Sequence, residues 1–445
     1  MIWVLIIYLI VPAAYLSGKT DIFADGTLGA PNPVARALKL TLLAAGVVIV
    51  LWRAGLAWIE LRCVNPFFLL FLGLVPASTL WSIDPTATAN RFVSTMSIVM
   101  VAFAFTLMAW NRTRLQDVIR PVITWLIVAS FLWGVFYPQY AIETGDGTLK
   151  DAWRGLTFQK NQFGMLASIG AVLWLHAGLS RERSWWWAMP MLSLSFACVL
   201  LSRSSTSLLA TIFCLAFMFL SMGAPSNLRR YMPYIVSAFA VMVVVYALAI
   251  LKIIPGIGVL LDPIAELAGK DLTFSNRAVI WGIIREHIEL APILGSGYGA
   301  YWTGPVPSSP SYVFLQRMYF YPTESHNGYL EIVNDLGFVG LIVLLGYLVF
   351  WVRQSLTLLV ADRNQAMLFL AIFFQQAITN LSESTWLSIN SGFAMAIGTL
   401  ATFAMARSIV DQRLARVPAQ YARPIQGRPL PARQELWRVR GSRRP

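Results

Sequence analysis

The 445-residue chain reads as an all-α, polytopic membrane protein with about twelve transmembrane helices and one long polar loop. Three observations carry that reading. Charged residues make up only 12% of the chain and hydrophobic ones 57%, against about 25% charged in soluble domains. Apolar runs recur along most of the chain, several of them long enough to cross ~30 Å of hydrocarbon. A single polar, Pro/Gly-rich stretch, residues 255–325, interrupts them. Composition therefore excludes soluble globular and disordered classes.

The expected spans are Ile2–Leu16, Leu38–Leu56, Pro66–Leu80, Phe92–Trp110, Pro121–Phe136, Phe163–Leu179, Trp185–Leu201, Ser207–Met222, Met232–Ile254, Tyr329–Trp351, Ala366–Leu381 and Ile389–Ala406. Starting inside and alternating, the inner connections hold 21 of the 34 Lys and Arg, the tail included. The positive-inside bias then places both termini in the cytoplasm and residues 255–325 outside. The organisation is an N-terminal bundle (1–254), the loop (255–325), C-terminal helices (326–410) and a basic tail (411–445). Met1–Leu16 lacks a basic n-region, so it reads as a retained first span rather than a signal peptide.

The net charge of +13 is concentrated at the end. From Arg407 onward ten arginines face Asp411 and Glu435, a net +8. After a final span, such a tail orients the protein and touches anionic membrane lipids. No aromatic-interleaved basic fold accompanies it, so no nucleic-acid partner is expected. Cys63, Cys198 and Cys214 show no metal or disulfide spacing and read as small buried hydrophobes.

Chemistry concentrates in and after the loop. Ser275 to Leu290 reads as a helix, with Ala278, Trp281, Ile284 and Ile288 at helical spacing and Gly295, Gly297 and Gly299 breaking the pattern beyond it. Arg277 and Arg285 lie about 80° apart around that helix and can flank one groove. Guanidinium forks suit phosphate oxygens, although Arg285 can also pair with Glu289 at i,i+4. His326 stands where the loop re-enters the membrane, beside Asn327 and two residues after Glu324. An imidazole there can stay neutral and accept a hydroxyl proton. His176 and His287 read as structural. Arg91, Lys160, Arg203 and Glu383 sit at outer ends of spans, where cations run against the positive-inside bias and become candidates for function, with snorkelling as the alternative. The chain has no Walker A loop, HExxH or Gly-x-Ser-x-Gly elbow, and no run of acids suggests a metal site. No cofactor and no metal are expected, and a reaction would draw on a pre-activated donor.

An ordered set of segments runs from about residue 75 to 385: Trp81-Ser82-Ile83-Asp84-Pro85, Lys160-Asn161-Gln162-Phe163-Gly164, Leu201-Ser202-Arg203-Ser204, Asn276-Arg277-Ala278-Val279-Ile280-Trp281, Pro292-Ile293-Leu294-Gly295-Ser296-Gly297-Tyr298-Gly299, His326-Asn327-Gly328-Tyr329-Leu330-Glu331, Leu336-Gly337-Phe338-Val339-Gly340 and Glu383-Ser384. Together they resemble the O-antigen ligase/polymerase family of bacterial envelope proteins, most like the ExoQ-type exopolysaccharide polymerases. The resemblance implies a GT-C-like, metal-independent glycosyltransferase of the bacterial inner membrane whose catalytic module spans about 75–385. It implies donors carried on undecaprenyl diphosphate at the periplasmic face. His326 matches the histidine proposed to activate the acceptor hydroxyl, and Arg277 matches the loop arginine proposed to bind the diphosphate. Arg203, Lys160, Arg91, Arg285, Glu383 and Asn327 complete the candidate substrate-binding set. Where many relatives carry a basic residue this chain has Ser205, and Arg203 is the nearest replacement. The expected function is polymerisation of undecaprenyl-diphosphate-linked oligosaccharide repeats, with a chain-length regulator as a candidate partner. The alternatives are a ligase moving a finished glycan to lipid A core or protein, and a lipid-linked oligosaccharide flippase.

Overall fold

The computed structural model describes residues 1–12, 33–144, 150–223, scattered positions between 227 and 241, and 275–416. The ninth expected span, most of the polar loop before residue 275 and the tail beyond 416 lie outside these residues.

The described chain is helical but for one two-residue antiparallel pairing, β1 (Ile142–Glu143) with β2 (Ala152–Trp153). The helices are α1 (Ile2–Ile10), α2 (Pro33–Trp52), α3 (Ala54–Leu61), α4 (Pro66–Ala77), α5 (Pro85–Leu107), α6 (Arg114–Phe136), α7 (Lys160–Leu179), α8 (Trp185–Leu201) and α9 (Ser205–Met218). After the undescribed stretch come α10 (Ser275–Ile288), α11 (Val313–Met318), α12 (Gly328–Leu358), α13 (Arg363–Thr379) and α14 (Gly392–Arg416). Among the described residues seven helices are long and apolar enough to cross a membrane: α2, α5, α6, α7, α9 with its π-helical end, α12 and α14. The bent pair α3–α4 makes an eighth if it is one span. The second and third expected spans thus differ in shape from the structure. α2 stops at Trp52, α3 follows, and the chain turns by 108° into Pro66–Leu80. Asn65 caps the new helix at Phe67 N, with Pro66 in its first turn. α8, at 17 residues, is apolar but shorter than a full crossing.

α13 is the central post. Every residue from Gln365 to Thr379 is buried, and α7, α9, α12 and α14 pack around it. Phe373, Trp386, Trp351 and Tyr347 form a chain of tilted and edge-on rings through this core. Connections expected on one side of the membrane gather at one end of the bundle. There Arg112 meets Asp362 at 3.2 Å, Arg120 meets Glu182, and His176 Nε2 lies 3.0 Å from Asn364 O. The segments after α4, before α7, before α9, around α10 and after α13 gather at the other end.

That second end is braced by contacts between motif segments far apart in sequence. Ser296 N and Gly297 N donate to Asn334 O and Asp335 O, while Phe338 N and Val339 N donate to Pro292 O and Ile293 O. This close pairing needs glycine. Gly337 has φ +64° and kinks α12, and a Cβ there would lie 2.1 Å from Ile293 O. Trp81 Nε1 and Ile83 N reach the same loop at Leu294 O and Ser296 O. The loop also has its own small core of Ile280, Ile283, Ile284, Tyr301, Trp302 and Phe314, joined to α12 by Leu330. α10 is described from Ser275 onward and ends two residues short of the expected Leu290.

Candidate active site

Three loops meet above α13. The turn after α13 is shaped by Asn380, whose Oδ1 accepts from Thr385 N (2.9 Å) and Trp386 N (3.0 Å) and whose carbonyl accepts from Gly328 N (3.0 Å). A side chain at Gly328 would collide with Asn380, so the start of α12 can dock there only as glycine. Asn327 caps α12, its Oδ1 accepting from Tyr329 N and Leu330 N. Glu331, one turn into the helix, holds Ser325 N at 2.9 Å. His326 is fixed between these anchors with φ +51°, a left-handed conformation uncommon for a non-glycine residue. Such backbone strain costs about 1–3 kcal/mol and clusters at functional sites.

Glu383 is the hub. Its Oε1 accepts from Arg277 Nη2 at 3.0 Å and from Asn161 Nδ2 at 2.7 Å, while Oε2 lies 3.4 Å from His326 Nδ1. The same Nδ1 is 3.5 Å from Glu324 Oε1. Burial works against charge on Glu383, but His326 and Arg277 outweigh it and hold the carboxyl down at about 2. Burial, with neighbouring Glu383, pushes Glu324 well above the usual carboxylate range. The pair therefore divides its charge, with Glu383 ionised and Glu324 carrying the proton.

A cavity of about 780 Å³ opens beside this hub. Glu383, Glu324, Asn161, Arg91, Trp302 and Tyr321 are among its walls, a mixture of charge and aromatic faces. Arg91 sits on α5 against Gly299, its Nη2 3.3 Å from Trp302 O.

Of the residues singled out from sequence, the structure brings His326, Arg277 and Glu383 into direct contact. Asn327 stands beside them as a cap. Lys160 opens α7 next to Asn161, its backbone N bonded to Glu143, and lies within electrostatic range of Arg277 and Arg203. Arg203 turns toward the β2 side, donating to Lys150 O at 2.8 Å and facing Asp151 at 3.9 Å. Arg285 lies two turns along α10 from Arg277 and does not line the cavity. Two members escaped the sequence reading: Asn161, hidden in the segment that drew attention to Lys160, and Glu324, seen only as a neighbour of His326.

Glu324, His326 and Glu383 offer donor atoms all within 4.8 Å of one another, a spacing that could hold a metal ion. The three are scattered in the sequence, which is why no acidic run announced them. Two features compete with a metal there: burial raises the Glu324 carboxyl, and Glu383 Oε1 already accepts from Arg277 and Asn161.

Residues 190–345 match the O-antigen ligase family. The match spans Arg203, Arg277 and His326, so the family model covers both the loop arginine and the histidine. The chain is also 27% identical over 321 residues to the exopolysaccharide production protein ExoQ of Rhizobium meliloti (strain 1021), covering 68% of this chain and 69% of the relative. The family that the ordered motifs resemble is thus also the one these residues match, and the relative found independently is similar to this chain over a longer stretch of sequence. The Glu383 hub and Asn161 lie outside the O-antigen ligase match.

Proposed function

We propose that this protein is a glycosyltransferase that polymerises undecaprenyl-diphosphate-linked oligosaccharide repeats at the periplasmic face of the bacterial inner membrane. The observation that carries the reading is the Glu383 hub: one buried carboxylate joined to an arginine, an amide and a histidine at the edge of a large cavity. With its proton on Nδ1, toward Glu383, His326 presents a lone pair on Nε2. That nitrogen orients the acceptor sugar's hydroxyl and takes its proton as the oxygen attacks the anomeric carbon. The bond from that carbon to the diphosphate oxygen breaks, and undecaprenyl diphosphate leaves. Direct displacement inverts the anomeric centre. Glu383 supports the imidazolium that forms, as a carboxylate does behind any histidine base. Arg277 brings a fixed positive charge and a forked set of N–H donors to the leaving diphosphate, where negative charge grows. No step calls on a metal.

The experiment is reconstitution with a defined lipid-linked repeat and gel analysis of the product. A ladder of lengthening chains supports polymerisation. The family match favours a second reading, ligation of a finished glycan; transfer of a preformed chain to a separate acceptor, without a ladder, would establish it instead.

A further inference from the structure

A second cavity of about 320 Å³ adjoins the first, sharing Arg91, Phe158, Gln162 and Ile389 with it. Its remaining walls are the end of α1, the first turns of α2 and the face of α5 that carries Ser94, Ser97 and Ile98. Two cations enter it. Lys39 Nζ sits 3.2 Å from Ser94 Oγ, and Arg91 is near enough to oppose the lysine's charge. The described lining contains no carboxylate. The other charges around Arg91, Glu331 and Asp335, belong to α12 and are not part of this lining.

Position narrows the ligand. Ser94 is nine residues into α5, roughly 14 Å below its start at ~1.5 Å per residue, so the chamber reaches into the apolar layer. α2 closes it from outside and is itself peripheral, with Val48 64% and Leu51 and Trp52 each 69% exposed. A sugar or free phosphate has no reason to descend beside Leu9, Ile10 and Val11. An amphiphile with a phosphate head and a hydrocarbon tail satisfies both the cations and the apolar wall, and it can arrive sideways past α2. Cations held inside a membrane span mark binding sites when an anion completes them.

We propose that Lys39, Arg91 and Ser94 form a second lipid-phosphate seat, separate from the Arg277 hub, so that two lipid-borne phosphates flank the main cavity at once. Lys39 and the Ser94 hydroxyl grip the phosphate, and Arg91 stands between this seat and the reaction chamber. The assignment of the occupant as the acceptor's polyprenyl carrier rests on the proposed polymerase reading; the seat itself does not.

Native mass spectrometry of the purified chain with undecaprenyl phosphate tests it. The wild type retains two lipids, Lys39→Gln retains one, and Lys39→Arg restores the second. The apparent affinity of that second lipid falls about tenfold or more on losing the charged contact, and by less in Ser94→Ala. Phosphatidylglycerol added in competition separates the sources. If it displaces the lipid that depends on Lys39, the occupant is ordinary phospholipid; if it does not, the seat selects the polyprenyl carrier. Unchanged retention of both lipids in a folded Lys39→Gln variant overturns the proposal while leaving the polymerase reading intact. A wild type that makes no polymer yet holds lipid through Lys39 would end that reading and leave the seat standing.

Discussion

The two ends of the bundle carry nearly the same set of side chains and use them differently. At one end His326, Glu383, Arg277 and Asn161 meet. At the other, His176, Glu182, Arg120 and Gln116 meet, with Gln116 Nε2 2.9 Å and His176 Nδ1 3.8 Å from Glu182 Oε1. Each is a carboxylate joined to an arginine, an amide and an imidazole. His176 is fully buried inside a helix, and none of its four residues lines a described cavity. His326 is partly exposed, on a left-handed turn, and two of its partners, Glu383 and Asn161, line a large cavity. Residue type alone does not make a reactive site. Access and an imposed backbone conformation do, and the His176 cluster serves to fasten α6, the α7–α8 turn and the start of α13.

Substitutions that separate the ends test this contrast. The largest effect is expected for His326→Ala, which loses about 10²–10⁴ in transfer rate with unchanged thermal unfolding; equal loss of product in folded His176→Ala would erase the distinction. Glu182→Gln weakens a partly buried ion pair and lowers stability by about 1–3 kcal/mol, read by thermal unfolding in detergent, with the surviving folded fraction still active. Arg277→Ala costs about 10²–10³ in rate, measured on the reconstituted product ladder.

A subtler contrast lies within the outer cluster. Glu383, with its carboxyl held below its unfolded value, contributes stability that is present above about 4.5 and lost as pH falls toward about 2. Glu324 has the opposite sign: its raised carboxyl favours the fold below about 4.5 and loses that contribution as pH rises through its folded value. Glu324→Gln, which imitates the protonated form, is therefore expected to keep activity within a few-fold, roughly 1 kcal/mol or less, and to raise stability at alkaline pH. Glu383→Gln removes the charge that faces Arg277 and His326 and costs about 1–3 kcal/mol. Unfolding and transfer followed against pH for both variants decide it. Gly295→Ala is expected to cost stability, read by thermal unfolding: a φ of +69° alone costs about 1–3 kcal/mol, and its Cβ would also lie 2.5 Å from the Asp335 and Leu336 backbone.

How much of this was legible in one sequence follows from the range of each interaction. The long apolar helices and α10 announced themselves, because burial writes a local period. So did the glycine segments, although not their purpose. Gly295–Gly299 and Gly337 are complementary halves of one clasp, and only the fold pairs them. His326 and Arg277 stood out as polar residues in a membrane protein. Asn161 did not, because its contact with Glu383 spans 222 positions, and nothing in a helix's opening residues encodes a partner that distant. Lys39 stood three residues after Arg36 at the start of an apolar run, and the serine it meets lies 55 positions away.

The kink at Gly337 has a mechanical consequence. It divides α12 into a short upper arm, tied to the glycine-rich loop by backbone bonds, and a long stem within the bundle. Rotation at that swivel would let the loop and the upper arm move as one unit, while the stem stays packed in the bundle. His326, just ahead of the upper arm, would then shift relative to Glu383 on the turn after α13, so the swivel sets how closely those two groups meet.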